Sequence, residues 1–181
     1  MSAKDKSAQA AYAKVLRNLF SASDEEVMAA VKELSDSGDD QAIFPLLEVL
    51  LNGSDDAQQA VTSVLYQLKN RKAAQALVEA LENPKYIPVR KTILASFWNS
   101  GIMPVDKLPL LCAIAAEGDF EEAFEVLTIV EAMDVQLEPA ELEPAEEAVR
   151  EFLMHHDDSH PCHGIMESLQ VALSNLESHN G

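Results

Sequence analysis

The densest group of side chains that could do chemistry lies at positions 155–163, where the sequence is HHDDSHPCH. It holds four histidines, one cysteine and two aspartates, and imidazole and thiolate are ligands that suit zinc. The spacing matches no known zinc motif, because CxxC is missing and His-x-x-His occurs once, at His160 and His163. The weak candidate ligands are His155, His156, His160, Cys162 and His163.

Two other interpretations of this segment stay open. It could bind nickel or zinc adventitiously. It could also be a polar loop between two helices, in which Asp157, Asp158 or Ser159 helps to cap the final helix. We favour the polar loop and predict no specific metal and no cofactor; protein that carries no stoichiometric metal after growth with added zinc would exclude the specific site.

Other catalytic motifs are missing from the sequence. It contains no glycine-rich phosphate loop, no G-x-S-x-G elbow and no H-E-x-x-H. Paired carboxylates abound, but their spacing places them on solvated helix faces, where they have nothing to act on. We therefore predict that the chain is not an enzyme, with a metal-dependent activity at residues 155–163 as the alternative.

Composition and charge limit the partners. The 181 residues are 48% hydrophobic, which excludes a disordered acidic chain. Aromatic residues are sparse at 6% while alanine, leucine and glutamate are plentiful, and this composition is typical of an all-α protein. Residues 1–107 have a net charge of −2, whereas residues 108–181 have one base, Arg150, against 17 acids. An acidic half repels phosphate backbones, which argues against nucleic acid. The local exception has a net charge of +4 and contains six bases, Lys69, Arg71, Lys72, Lys85, Arg90 and Lys91.

Several features favour a cytoplasmic location. The two cysteines are too few for a disulfide framework, and Cys112 lies in an apolar run typical of a buried helix. The first residues lack the apolar core of a signal peptide. No run of residues approaches the roughly 18 apolar positions that a membrane helix needs.

Helical segments recur along the chain with a nearly constant period. Pro45-Leu46-Leu47 follows Lys14-Val15-Leu16 by 31 residues, and Ala76-Leu77-Val78 follows by 31 more. Pro109-Leu110-Leu111 comes 33 residues later. Such a period indicates repeated helix pairs, each of which needs a neighbour to bury its apolar face. We predict one domain over 1–181, with repeats at 8–37, 39–69, 70–101 and 103–134 and an acidic capping pair at 138–178.

Capping residues support these boundaries. Glycines follow four apolar runs, where a left-handed residue commonly ends a helix, namely Gly38, Gly53, Gly101 and Gly118. Asp24, Ser54 and Asp119 precede second helices and are predicted N-caps. Pro139 and Pro144 could each begin a helix, and Glu143-Pro144 is predicted to begin the first helix of the capping pair. Trp98 is predicted to lie in the core, because it continues the stripe through Leu94.

The period, the Pro-Leu-Leu of the first helices and Val89-Arg90 at the start of a second helix resemble HEAT repeats, including the short HEAT-like repeats of many bacterial proteins. Asn83-Pro84 stands where the family usually has Asp-Pro, and the other units lack the family's Asp–Arg ladder. The resemblance covers about residues 8–134 and implies a right-handed α-α superhelix, or solenoid, of about five antiparallel helix pairs. It also implies a protein-interaction scaffold, since most of the family has that role.

In such proteins the second helices form a ridge that binds partners. Here the predicted ridge changes from neutral to basic to acidic, and comprises Gln58, Gln59, Thr62, Gln67, Arg90, Lys91, Ser96, Asn99, Glu122, Glu125 and Glu131. We expect a protein partner whose acidic part lies over Arg90 and Lys91 and whose basic or helical remainder runs along Glu122, Glu125 and Glu131. Alternatively Arg90 pairs with a neighbouring repeat and binds nothing. A nucleic-acid-binding or base-repair protein of the HEAT-like type is the alternative function.

Overall fold

The computed structural model describes residues 3–21, 23–37 and 40–177, which form helices joined by turns and loops, with no strand among them. The prediction of an all-α protein is therefore confirmed. The helices are α1 (Ala3–Asn18), α2 (Asp24–Ser37), α3 (Ile43–Asn52), α4 (Asp55–Leu65), α5 (Arg71–Leu81), α6 (Arg90–Ser100), α7 (Leu108–Glu117), α8 (Phe120–Glu131), α9 (Pro139–His155) and α10 (His163–Ser174). Three short 3₁₀ helices span Asp40–Ala42, Pro84–Val89 and Val105–Lys107.

The chain divides into two compact units, unit 1 (Met1–Ile102) and unit 2 (Met103–Gly181). In unit 1 the consecutive helices α1–α2, α3–α4 and α5–α6 contact each other, and so do α2–α4, α4–α6 and α3–α5. In unit 2 the contacts are α7–α8, α9–α10, α7–α9 and α8–α10. Consecutive even-numbered helices therefore contact each other within each unit, and among the odd-numbered helices α3 contacts α5 and α7 contacts α9. The single domain, the superhelix and the number of pairs stay predictions.

Local sequence explains where the helices of unit 1 begin and end. Asn70 precedes α5, and its side chain accepts a hydrogen bond from the Lys72 amide at 3.0 Å. Asn83 does the same for the Lys85 amide at the start of the 3₁₀ helix that contains Pro84 and Pro88. Gly101 ends α6 with φ of 73°, a conformation that strains any residue with a Cβ.

The other glycine predictions need correction. Gly53 and Gly118 are not left-handed; both have negative φ and extended backbone. They are glycines because space is short: an added Cβ would lie 2.6 Å from the Val49 carbonyl oxygen at Gly53 and 2.6 Å from the Ile114 carbonyl oxygen at Gly118. Gly38 lies outside the described residues. The sequence also predicts that Asn180-Gly181 frays, and these two residues lie outside the described range as well.

Two of the three predicted N-caps are confirmed. Ser54 accepts a hydrogen bond from the Ala57 amide, and Asp119 forms a reciprocal capping box with Glu122. Asp24 is not a cap, because it is already the first residue of α2. At that position its carboxylate still stabilises the helix by interacting with the positive end of the helix dipole.

The prediction for the start of α9 was wrong. The helix begins at Pro139, where a proline at the first position loses no hydrogen bond, and the carboxylates of Glu138 and Glu141 form a capping box. Pro144 lies inside the helix instead. After α10 the chain returns to the start of this pair, since the Leu137 amide donates to the Leu176 carbonyl at 2.7 Å.

The core of each unit is aliphatic. In unit 1, α6 contributes a run of five buried residues from Ile93 to Phe97, and the following Trp98 is 37% exposed, so its predicted burial was wrong. Helical periodicity predicts that Ile165, Leu169 and Leu173 share a buried stripe of α10. Leu169 and Leu173 are buried, but Ile165 is only half-buried and Met166 is buried instead. In the part of the chain that the structure describes, no helix combines the length and apolar character that crossing a bilayer requires.

Candidate functional site

The end of α9 brings two of the predicted ligands together against an aromatic ring. The His156 ring stacks on the Phe152 ring with centroids 4.2 Å apart, and the His160 ring lies nearly perpendicular to the Phe152 ring with centroids 5.0 Å apart. The two imidazoles lie 4.5 Å apart. Nδ1–H of His156 donates to the Phe152 carbonyl at 2.9 Å, while Nδ1 of His160 accepts from the Cys162 amide at 3.2 Å. These contacts make the pair part of a turn that follows α9.

The other candidates are engaged separately. His155 is exposed and its Nδ1–H donates to the Glu151 carbonyl at 2.7 Å. His163 begins α10, with Nε2 at 3.7 Å from Asp158 Oδ1 and Nδ1 at 3.8 Å from Glu167 Oε2. Burial and the negative charge of Asp119 raise the pKa of the Cys162 thiol, which disfavours the thiolate that a metal needs.

Asp157 forms hydrogen bonds within the loop between α9 and α10 and does not cap α10. Its Oδ1 accepts from the Ser159 amide at 3.0 Å and from the Ser159 hydroxyl at 2.5 Å, and these bonds lower the pKa of its carboxyl group. The expected capping of the final helix by Asp157, Asp158 or Ser159 was therefore wrong; Cys162 occupies that position without a side-chain bond. No group of three or more His, Cys, Asp or Glu side chains within the described ranges is arranged to hold a metal ion.

The predicted ridge residues differ in accessibility. Gln59, Gln67, Lys91, Asn99 and Glu131 are exposed, and Gln58, Thr62, Arg90 and Glu125 are half-buried. Ser96 and Glu122 need correction, because both are buried. The Ser96 hydroxyl donates to the Ile93 carbonyl, and the Glu122 carboxylate accepts from the Asp119 amide in the capping box. Neither can serve as a surface contact.

One of the six bases is held in a contact with α3. Lys85 forms an ion pair with Glu48, and the same Glu48 Oε1 accepts a hydrogen bond from the Tyr86 hydroxyl at 2.8 Å. The bond to Lys85 holds the Glu48 pKa below its usual value, and burial raises the pKa of Tyr86 to about 12. Lys85 therefore has a structural role in unit 1.

Sequence reasoning missed an apolar groove between α2 and α4. The groove has a volume of about 430 Å³ and its walls are Met28, Ala29, Val31, Ala60 and Val64, with Lys32, Ser63 and Gln67 at the rim. Met28 is 38% exposed. The sequence did contain an indication of this groove. Met28 adjoins the buried Val27 and Ala60 adjoins the buried Val61, so the apolar stripes of α2 and α4 extend beyond the residues that the core buries.

Sequence reasoning also missed an exposed aromatic face on α8. Phe120 is 50% and Phe124 52% exposed, although both lie in an apolar helix. The buried stripe of α8 is Ala123, Val126, Ile129 and Val130, so the two phenyl groups fall outside it. At the far end of α8 a groove of about 660 Å³ reaches α10 and includes Glu131, Met133 and Val171.

Comparison with known proteins identifies no relative, since no family model, no curated protein and no solved structure matches the chain.

Proposed function

We propose that the chain is a protein-interaction scaffold of the HEAT-like helical-repeat type, which binds its partner along the even-numbered helices. In this proposal the helix pairs of each unit stack with the right-handed twist of that repeat class. The contacts among α2, α4 and α6 support it, because they place consecutive second helices side by side.

The observation that carries the proposal is the apolar groove between α2 and α4. An apolar groove on the surface is characteristic of a binding site for a helix or an extended segment. Its walls come from two second helices, and its rim is polar through Lys32, Ser63 and Gln67. This combination of an apolar floor and a polar rim is the usual anatomy of a protein interface.

Charge suggests the orientation of the bound segment. A second cavity is lined by Asp24 and Val27 of α2 together with Ser54 and Ala57, so the starts of α2 and α4 lie at the same end. Five acids occupy the first turns there, namely Asp24, Glu25, Glu26, Asp55 and Asp56. We therefore propose that the occupant is an amphipathic helix from a partner protein, with basic residues over this acidic end.

The test replaces Ala60 with arginine, which fills the groove with a charged side chain. Proteins captured from native cells by the unmodified chain are compared with those captured by Ala60→Arg and by Gln59→Arg, using quantitative mass spectrometry. Gln59 is exposed on the same helix but does not line the groove, so it is the matched control. We expect a partner that Gln59→Arg retains and Ala60→Arg loses at least tenfold. Equal capture by all three proteins would show that this groove binds nothing.

A further inference from the structure

We infer that unit 2 carries a second docking surface, on α8, whose occupant is a basic amphipathic helix. The inference rests on the proposed role as a scaffold but concerns a different surface from the α2–α4 groove. It is carried by the exposed phenyl groups of Phe120 and Phe124, by the groove at the end of α8 and by the charge of unit 2.

The exposed face of α8 is continuous. At 100° per residue, the side chains of this face fall within a sector of about 60°, and they are Phe120, Phe124, Leu127 and Glu131. The two phenyl groups are at least half exposed and Leu127 is half-buried. The face extends for roughly 16 Å from Phe120 to Glu131. That length accommodates about three turns of a partner helix.

The groove at the end of this face supplies an apolar continuation. Glu131 belongs both to the α8 face and to the groove that reaches Val171 on α10, and Val171 is 60% exposed. Met133 and Leu176 form buried parts of the same groove. A helix that lies on Phe120 and Phe124 can therefore place an apolar side chain against Val171.

Charge decides among the possible occupants. Residues 103–181 contain two bases, Lys107 and Arg150, against 18 acids, a net charge of −16. A second copy of the chain would bring the same negative charge to the contact and be repelled. Acidic side chains stand beside the phenyl groups in the sequence and line the groove, namely Glu121, Glu125, Glu131 and Asp134. A helix with an apolar stripe and flanking lysines or arginines matches this surface.

The test uses a fluorescently labelled leucine–lysine peptide of about 18 residues, roughly 27 Å long as a helix. Its anisotropy is measured with the full chain and with the double variant Phe120→Ala, Phe124→Ala. We expect the double variant to bind at least tenfold more weakly, since exposed aromatic anchors dominate such contacts. Met154→Ala is the matched control, because Met154 is 76% exposed on α9 of the same unit and lies outside the α8 face. Its affinity should stay within about twofold of that of the unmodified chain.

Two further measurements separate a docking surface from general attraction to an acidic protein. A peptide of the same composition, scrambled so that its leucines share no face, should bind at least tenfold more weakly. The variant Val171→Lys provides a second test that does not depend on the folding of the phenylalanine variant. The added lysine should repel the basic peptide and so weaken its binding. Equal binding of the two peptides, or no effect of the phenylalanine and valine variants, would overturn the inference.

The remaining outcomes distinguish this inference from the proposed function. If Ala60→Arg abolishes peptide binding while the phenylalanine variant retains it, the α8 surface is wrong and the α2–α4 groove stands. If sedimentation shows a dimer of the chain that Phe120→Ala, Phe124→Ala dissociates, the surface is real but its occupant is a second copy, which would overturn the basic-helix assignment.

Discussion

Glu48 shows how one side chain connects separate segments of unit 1. It lies on α3 and binds both Lys85 and Tyr86, which belong to the 3₁₀ helix before α6. Tyr86 is 4% exposed, so its hydroxyl needs the partner that Glu48 supplies. The Lys85 side chain is 53% exposed, and we expect the ion pair itself to contribute little.

Replacing Tyr86 with phenylalanine should lower the free energy of unfolding by about 1 kcal/mol at pH 7, because a buried hydrogen bond is lost. Urea unfolding followed by circular dichroism measures this change. Gln75→Ala is the control, since it removes only an exposed bond between Gln75 and Glu79 and should change the free energy by less than about 0.5 kcal/mol. A loss for Tyr86→Phe no larger than that of the control would contradict the structural role of Glu48.

The same cluster predicts a pH dependence. The Glu48 pKa is lowered in the folded state, so its contribution is complete above the ordinary value of 4.5 and lost as the pH falls below it. Tyr86→Phe should therefore lower the free energy of unfolding by less at pH 3 than at pH 7, in the same urea unfolding measurement.

Tyr86 itself predicts a second pH dependence, at alkaline pH. Its pKa is raised from 10 to about 12 in the folded state, so the stability that its neutral form contributes is complete below pH 10 and is lost as the pH rises toward 12.

For individual residues, the sequence predicted the positions of the helices better than it predicted which side chains are buried. Ser96 and Glu122 were expected on the surface and are buried, while Trp98 was expected in the core and is exposed. Helical periodicity fixes the angles between residues but not the direction that faces the core, since neighbouring helices decide that. The buried run from Ile93 to Phe97 covers most of the circumference of α6, which no amphipathic pattern predicts.

Among the elements, α9 differs most from its sequence prediction. The helix starts at Pro139 and continues through Pro144, which has no N–H to donate to the carbonyl four residues earlier. The charged capping box and the buried Leu142 and Ala145 on either side of Pro144 favour the longer helix. The sequence identified both prolines as possible starts of the helix. It could not decide between them, because the choice depends on how Leu142 and Ala145 pack in the folded chain.

Replacing Pro144 with alanine should raise the free energy of unfolding by about 1 kcal/mol or more. Alanine restores the missing hydrogen bond, and this gain exceeds the smaller entropic advantage of proline in the unfolded chain. Pro144 is exposed, so the change leaves the core intact. Pro139→Ala is the matched control and should be neutral or slightly destabilising, since the first helical position needs no donor. Equal destabilisation by both changes in thermal unfolding would contradict the structural description of α9.

At the scale of the whole molecule, the two units differ in charge and in exposed apolar surface. Unit 1 has a net charge of −2 and an apolar groove between α2 and α4, whereas unit 2 has a net charge of −16 and the phenyl groups on α8. The charge asymmetry was predictable from the sequence. The two surfaces were not, because they depend on which apolar residues the packing leaves uncovered.

The central claim is that partners bind the even-numbered helices, and site-specific photo-crosslinking in native cells tests it most directly. A benzophenone amino acid is placed at Met28 on α2 or Phe124 on α8, and at the exposed control positions Gln75 on α5 and Glu147 on α9. We predict discrete cross-linked partner bands from positions 28 and 124 and none from positions 75 and 147. Cross-links that form only from the α5 and α9 positions would contradict the claim.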